Sequence, residues 1–302
     1  MLKHQPGFRC HHFLLALGFA CVYCAVSVTY AKEFVSPDIL ILGDSQIPFG
    51  SGPAFLEVFS DIKQYCRPDD KHISNLAKLG EMKVAVLGVR STSLRSWTAR
   101  SGTDKGRVCD VDPTWNVNAG SYGVLNETDN KYVQIGQGEQ YQFCEQDRSP
   151  FETMFREDYY RPKLLLFSFL GNSAKRWAKD KDEAVSDVLA MMSQVPEKIP
   201  CIFMTTAPPY SKTNTDIRLR AQNNLRMAFH ETGNRCTFVP GSTPGTVAAN
   251  QGNKNYFRLN ADGIVSDPYH PNQVAARNFF ALERDDICSA IFEQVEKVSD
   301  SS

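Results

Sequence analysis

Four apolar β-like runs, at residues 38–43, 83–88, 163–169 and 200–206, limit what this chain can fold into. Val84-Ala85-Val86-Leu87 and Leu164-Leu165-Leu166-Phe167 carry no polar residue at alternate positions. A strand of that kind must be buried on both faces, as in a parallel sheet covered by helices. A fifth, shorter run is Thr237-Phe238-Val239. Between the runs the apolar period changes to that of a helix. Residues 176–195 place Trp177, Ala184, Val188, Met191, Met192 and Val195 on one face; 214–232 place Ile217, Ala221, Leu225, Ala228 and Phe229. Residues 272–297 do the same with Val274, Phe279, Leu282, Ile287, Ile291 and Val295. Strands alternating with helices predict a three-layer α/β domain. The exception is about 98–160, rich in Gly, Asn, Thr and Asp and without a helical period. Within it 131–135 and 140–144 alternate around Gly136-Gln137-Gly138, which reads as a β-hairpin in an insertion on the main domain.

The N-terminus reads differently. Lys3 and Arg9 precede an apolar stretch that stays uncharged from Phe13 through Ala31, with small residues at Ala25, Ser27, Thr29 and Ala31 before Lys32. A positive start, an apolar middle and a small-residue exit predict a signal peptide over 1–31 and a mature chain of 32–302. The alternative is an uncleaved anchor, because 13–31 is long enough to span a bilayer. Removing 1–31 takes away Cys10, Cys21 and Cys24 and leaves Cys66, Cys109, Cys144, Cys201, Cys236 and Cys288. An even set in an exported chain, periplasmic or secreted, fits disulfides; in the cytoplasm the same residues would be buried thiols. Cys109 and Cys144 flank the insertion and are candidates to close it. The formal net charge of −1 supplies no global basic field, so nucleic acid is not an expected partner.

Two short clusters at opposite ends carry chemistry. Gly43-Asp44-Ser45 directly follows the first run, and Asp267-Pro268-Tyr269-His270-Pro271-Asn272 precedes the last helix. In open α/β sheets ligands sit at the carboxyl ends of the strands, so Ser45 emerges at the edge of a site. A serine, a histidine and an aspartate supply nucleophile, general base and orienting carboxylate for acyl transfer. Each cluster alone also serves as turn or helix-cap chemistry. Beyond residue 31 the histidines are His72, His230 and His270. His72 lies in a polar stretch and His230 near a helix end, where a histidine commonly meets the last carbonyls. Pro268 and Pro271 stiffen the loop around His270, so one imidazole can be held in one tautomer.

Together with Gly88 after the second run and Asn172 after the third, these blocks resemble the SGNH, or GDSL-type, hydrolase superfamily. They occur in the family's order across 38–297. The resemblance implies a flavodoxin-like three-layer α/β/α domain with a mainly parallel sheet. It implies Ser45 as nucleophile, His270 as base and Asp267 as its partner. The oxyanion hole would come from the backbone N–H groups of Ser45 and Gly88 and the side-chain amide of Asn172. No cofactor and no metal are implied. The chain departs from the family pattern at Gln46, at Leu170-Gly171-Asn172-Ser173 (where Gly-x-Asn-Asp is favoured) and at Ala275-Ala276. Thr205-Thr206-Ala207-Pro208-Pro209-Tyr210 also looks like the family. The implied function is an exported serine esterase acting on small acyl, above all O-acetyl, esters of carbohydrate. Its partner is then a small-molecule or polysaccharide ester, with no obligatory protein partner. Trp97, Trp115, Tyr122 and Tyr141 offer rings for sugars, or simply form a small core for the insertion, the reading preferred here. Rival functions are a carbohydrate-binding or assembly protein with an inactive site, and a lipase or thioesterase. A dinuclear phosphoesterase would want more histidines than 32–302 hold.

Overall fold

The four apolar runs form strands buried on both faces. The computed structural model describes residues 36–80, 82–101, 108, 121–123, 133–135, 143–145, 147–158 and 160–298. The strands are β1 (Ile39–Gly43), β2 (Val84–Gly88), β3 (Ser121–Gly123), β4 (Val133–Ile135), β5 (Leu164–Ser168), β6 (Cys201–Met204), β7 (Thr237–Val239), β8 (Arg258–Leu259) and β9 (Val265–Asp267). The helices are α1 (Gly52–Phe59), α2 (Ile62–Cys66), α3 (Asp70–Leu76), α4 (Leu94–Thr98), α5 (Pro150–Phe155), α6 (Ala174–Lys179), α7 (Lys181–Gln194), α8 (Lys212–Glu231), α9 (Pro244–Asn250), α10 (Gln273–Leu282) and α11 (Arg284–Glu296). The main sheet runs β2-β1-β5-β6-β7 and is parallel throughout. The chain moves outward from β1 to β2, then crosses back to β5 on the other side of β1. The strand order therefore reverses between β1 and β5, and the loops leaving those two strands open a crevice. That is the expected α/β class, with Ser45 and Asn172 on the two loops at the reversal.

Period-2 side chains send the sheet's two faces into separate cores. Ile39, Ile41, Val84, Val86, Leu164, Leu166, Ile202 and Met204 pack with residues of α1, α2, α3, α10 and α11. On the opposite face Phe167 meets Phe151 and Phe203, and Phe203 meets Phe229 of α8. Trp97 is fully buried against Phe143, Phe151 and Phe169, so this ring belongs to the core. Each such side chain contributes about 1.5–3 kcal/mol by leaving water. Cys66 is bonded to Cys288, tying α2 to α11, and Cys201 to Cys236, tying β6 to the start of β7. Cys144 is also disulfide-bonded, while Cys109 lies outside the described residues.

Two helical patterns prove to be pairs of helices. The 176–195 pattern breaks at Asp180, whose backbone is extended and whose side chain accepts the Asp182 N–H to cap α7. The 272–297 pattern breaks at Glu283, between α10 and α11. The strand expected within 131–135 is β4, but its antiparallel partner is β3, upstream of it. Alternation fixes which faces a strand presents and does not choose its partner, so the hairpin with 140–144 was under-determined. Of that segment 140–142 lie outside the described residues and 143–144 carry no strand. The 1–31 segment, Trp115 and Tyr141 also lie outside them. Among the described residues no helix is long and apolar enough to cross a membrane.

Candidate active site

β1 ends at Gly43 and the chain turns at once. The Asp44 N–H donates to the Ser168 carbonyl at 3.3 Å. Its buried carboxylate accepts the Gln46 N–H at 2.9 Å on one oxygen, and the N–H groups of Leu170 (3.3 Å) and Gly171 (3.1 Å) on the other. One side chain thus ties the Ser45 turn to the loop after β5. The chain continues into a π-helical turn, Ile47–Ser51. A Cβ at Gly50 would lie 2.0 Å from the Pro271 carbonyl, so only glycine there lets the histidine loop come this close.

The histidine loop leaves β9, a strand that pairs with β8 away from the main sheet. Asp267 is the last residue of β9, a placement the sequence pattern did not indicate. Ser45 Oγ and His270 Nε2 are 2.8 Å apart, and both oxygens of Asp267 lie 2.9 Å from His270 Nδ1. Asp267 Oδ1 also accepts the N–H groups of Tyr269 and His270 at 3.2 and 3.3 Å. With Nδ1–H donating to the carboxylate, Nε2 is left as the acceptor facing the serine hydroxyl. Gln46 Nε2 donates to the Tyr269 carbonyl at 2.8 Å and so bridges the Ser45 turn and the His270 loop. This geometry can take a proton from Ser45 and return it to a leaving group.

Asn172 is exposed, and its Nδ2 donates to the Thr92 carbonyl at 2.6 Å, leaving the second amide hydrogen uncommitted to that bond. Among the described residues the Ser45 N–H donates to no partner. Gly88 is placed differently. It ends β2 in register with Gly43, and the Val89 N–H donates to the Gly43 carbonyl at 3.3 Å. The alternation of a parallel ladder then turns the Gly88 N–H to the far side of β2, away from β1 and Ser45. What glycine does there is steric, because a Cβ would fall 2.3 Å from Cβ of Ile47 and 2.8 Å from Pro48 Cδ. The loop beyond it, which carries Thr92 and holds Ser91 at φ 60°, is the part of this segment joined to Asn172.

Arg218 was not expected. It lies on α8 at 5% exposure, donating from Nη1 to the Ala207 carbonyl (2.9 Å) and from Nη2 to the Tyr269 carbonyl (3.2 Å). Burial holds its guanidinium down at about 10, against the pull of Asp44 and Asp267. Burial likewise pushes the Asp44 carboxyl up, opposed by the Gln46 amide and Arg218. A signal was present: Arg218 stands on the stripe of Ala221, Gln222, Leu225 and Phe229, a charge where the helix is buried. The segment 205–210 braces the same loop, since the Tyr210 N–H donates to the Pro268 carbonyl at 2.9 Å. His72 stacks on Phe292 and pairs with Asp69, and His230 lies exposed on α8, both apart from this site.

No protein-family model and no curated protein matches the chain. Solved structures do. A DUF4886 family protein from Bacteroides uniformis matches at 9% identity and a TM-score of 0.45, over 86% of this chain and 83% of that one. A carbohydrate esterase of family 3 from Talaromyces cellulolyticus matches at 12% and 0.41, over 87% and 100%. A family two carbohydrate esterase from Clostridium thermocellum, in complex with cellohexaose, matches at 9% and 0.41, over 88% and 66%. At such identities these are likenesses of fold.

Proposed function

We propose that this chain is a serine esterase working through a covalent acyl-enzyme. The observation that carries the reading is the continuous relay from Asp267 through His270 to Ser45, with contacts of 2.9 and 2.8 Å. His270 Nε2 takes the Ser45 proton as Oγ attacks the ester carbonyl, and gives it to the departing alcohol. Water, deprotonated by the same nitrogen, then releases the acid. The uncommitted Ser45 N–H and the second Asn172 amide hydrogen are the donors available to the oxyanion, each worth about 10²–10³ in turnover.

Small acyl groups on carbohydrate are the proposed substrates, a reading supported by the family-like sequence blocks. Export is the proposed setting, supported by the charge and size pattern of residues 1–31 and by two cross-links between distant segments. Hydrolysis of 4-nitrophenyl acetate by the protein and its Ser45→Ala variant tests the chemistry. Loss of at least about 10³-fold is expected on removing the nucleophile. Equal rates in the two proteins would remove Ser45 from the mechanism. Rates against longer acyl chains then separate a deacetylase from a lipase.

A further inference from the structure

Beside the His270 ring lies an aromatic ring with an arginine on it twice over. The Phe49 ring is 4.4 Å from that of His270, and the guanidinium carbons of Arg90 and Arg258 lie 4.5 and 5.3 Å from the Phe49 centroid. Neither guanidinium has a carboxylate partner among the described residues. Arg90 Nε is moreover buried with no hydrogen-bond partner there. The acids nearby are already engaged: Asp267 holds His270, and Asp44 holds three backbone amides. Other arginines in this chain pair directly with carboxylates, as Arg277 does with Glu57 at 2.6 and 2.9 Å.

A cation over a ring is held by the ring's quadrupole and keeps its N–H donors free. A buried donor without a partner is costly, and an anion that accepts from it removes that cost. Two forked donors one ring away from the base are suited to a planar or tetrahedral oxyanion.

We propose that Arg90 and Arg258 form an anion-recognition subsite beside His270, so that the natural ester carries a carboxylate, sulfate or phosphate near the bond that is cut. This deepens the esterase reading and rests on it for the identity of the ester. Neutral acyl esters would then be poor stand-ins for the natural substrate, their anionic counterparts good ones.

Two ester pairs tell which side bears the charge. For the alcohol side, 4-acetoxybenzoate is compared with its methyl ester; for the acyl side, mono-4-nitrophenyl succinate with 4-nitrophenyl butyrate. In at least one pair the protein should prefer the anion. That ratio of kcat/KM should fall at least about tenfold in Arg90→Gln/Arg258→Gln, on the scale of one charge-assisted hydrogen bond. Exposed Arg258, replaced alone, should lower the ratio in the same direction without disturbing a buried group. An unchanged ratio in both pairs overturns the subsite. Binding is read separately by calorimetry, with 4-acetamidobenzoate and monomethyl succinate and the Ser45→Ala protein, with and without the two arginines. At least one should bind in a manner that needs both arginines; if neither does, the subsite is again overturned. Arginine-dependent binding without Ser45-dependent hydrolysis would instead sink the esterase reading and leave the subsite standing.

Discussion

Two clusters of charge in this fold, each built on a buried aspartate, are held in opposite ways. Where α4, α6 and α7 meet, Asp187 is surrounded by donors: Arg95 at 3.1 Å, Trp177 Nε1 at 2.9 Å, and Arg176. Glu183 accepts from both arginines as well. At the carboxyl end of the sheet, Asp44 and Arg218 are bound by backbone groups only, with no direct ion pair between them among the described residues. The first cluster neutralises its charge on the spot and locks three helices. The second leaves opposite charges close together, and each fixes a loop that carries part of the site. Charge used for cohesion is paired; charge used for placement is spread over main-chain dipoles.

The contrast can be broken most strongly at Asp187. Asp187→Ala leaves Arg95 and Arg176 with Glu183 alone and strips the buried Trp177 N–H of its acceptor, and an unsatisfied buried donor costs about 1–3 kcal/mol. Chemical denaturation should show it, while ester hydrolysis per folded molecule stays within about twofold, since the cluster does not touch the triad. A large loss of specific activity at full folding would merge the two clusters into one.

Arg218 should behave the other way. Arg218→Met removes the donors to the Ala207 and Tyr269 carbonyls and should lower kcat/KM about tenfold to a hundredfold through a displaced His270. Arg218→Lys keeps the charge and should recover part of that loss. Equal activity of all three proteins would make Arg218 a core residue and nothing more.

The surface pair Glu57–Arg277 marks the lower end of the scale. Arg277 hydrogen bonds hold the Glu57 carboxyl below its ordinary value of 4.5. A depressed carboxyl contributes stability above about that pH and loses it as acid carries the pH through the folded-state value. Half-exposed side chains and salt screening keep the effect well below the loss expected at Asp187. Arg277→Gln should therefore cost less than that at neutral pH and nothing in strong acid. A cost that persists in strong acid would mean lost packing instead.

Much of this arrangement was legible in the residues. The apolar runs mark the five strands of the main sheet, four of them because burial on both faces demands a nearly continuous apolar run; β7 is shorter and half-buried. Gly43-Asp44-Ser45 stood out because turn chemistry at the end of an apolar run is local, and Asp267 to His270 through its prolines and aspartate–histidine spacing, although β9 itself did not. The 98–160 region was not: alternation alone does not choose a strand's partner, and α5, largely buried over Pro150–Phe155 within it, is too short to show a helical period. Gly88 is ambiguous for a related reason: a glycine reads the same whether it frees an N–H or makes room for Ile47. Arg218 was readable only as an anomaly on an apolar stripe, and what it holds, two carbonyls far apart in sequence, is visible only in three dimensions.

The most direct test of the central claim is where a serine-directed fluorophosphonate lands. Peptide mass spectrometry of the labelled protein should place the adduct on Ser45 alone, with labelling slowed by orders of magnitude in His270→Ala. An adduct elsewhere, or labelling of Ser45 at the same rate without His270, would contradict a triad at this site.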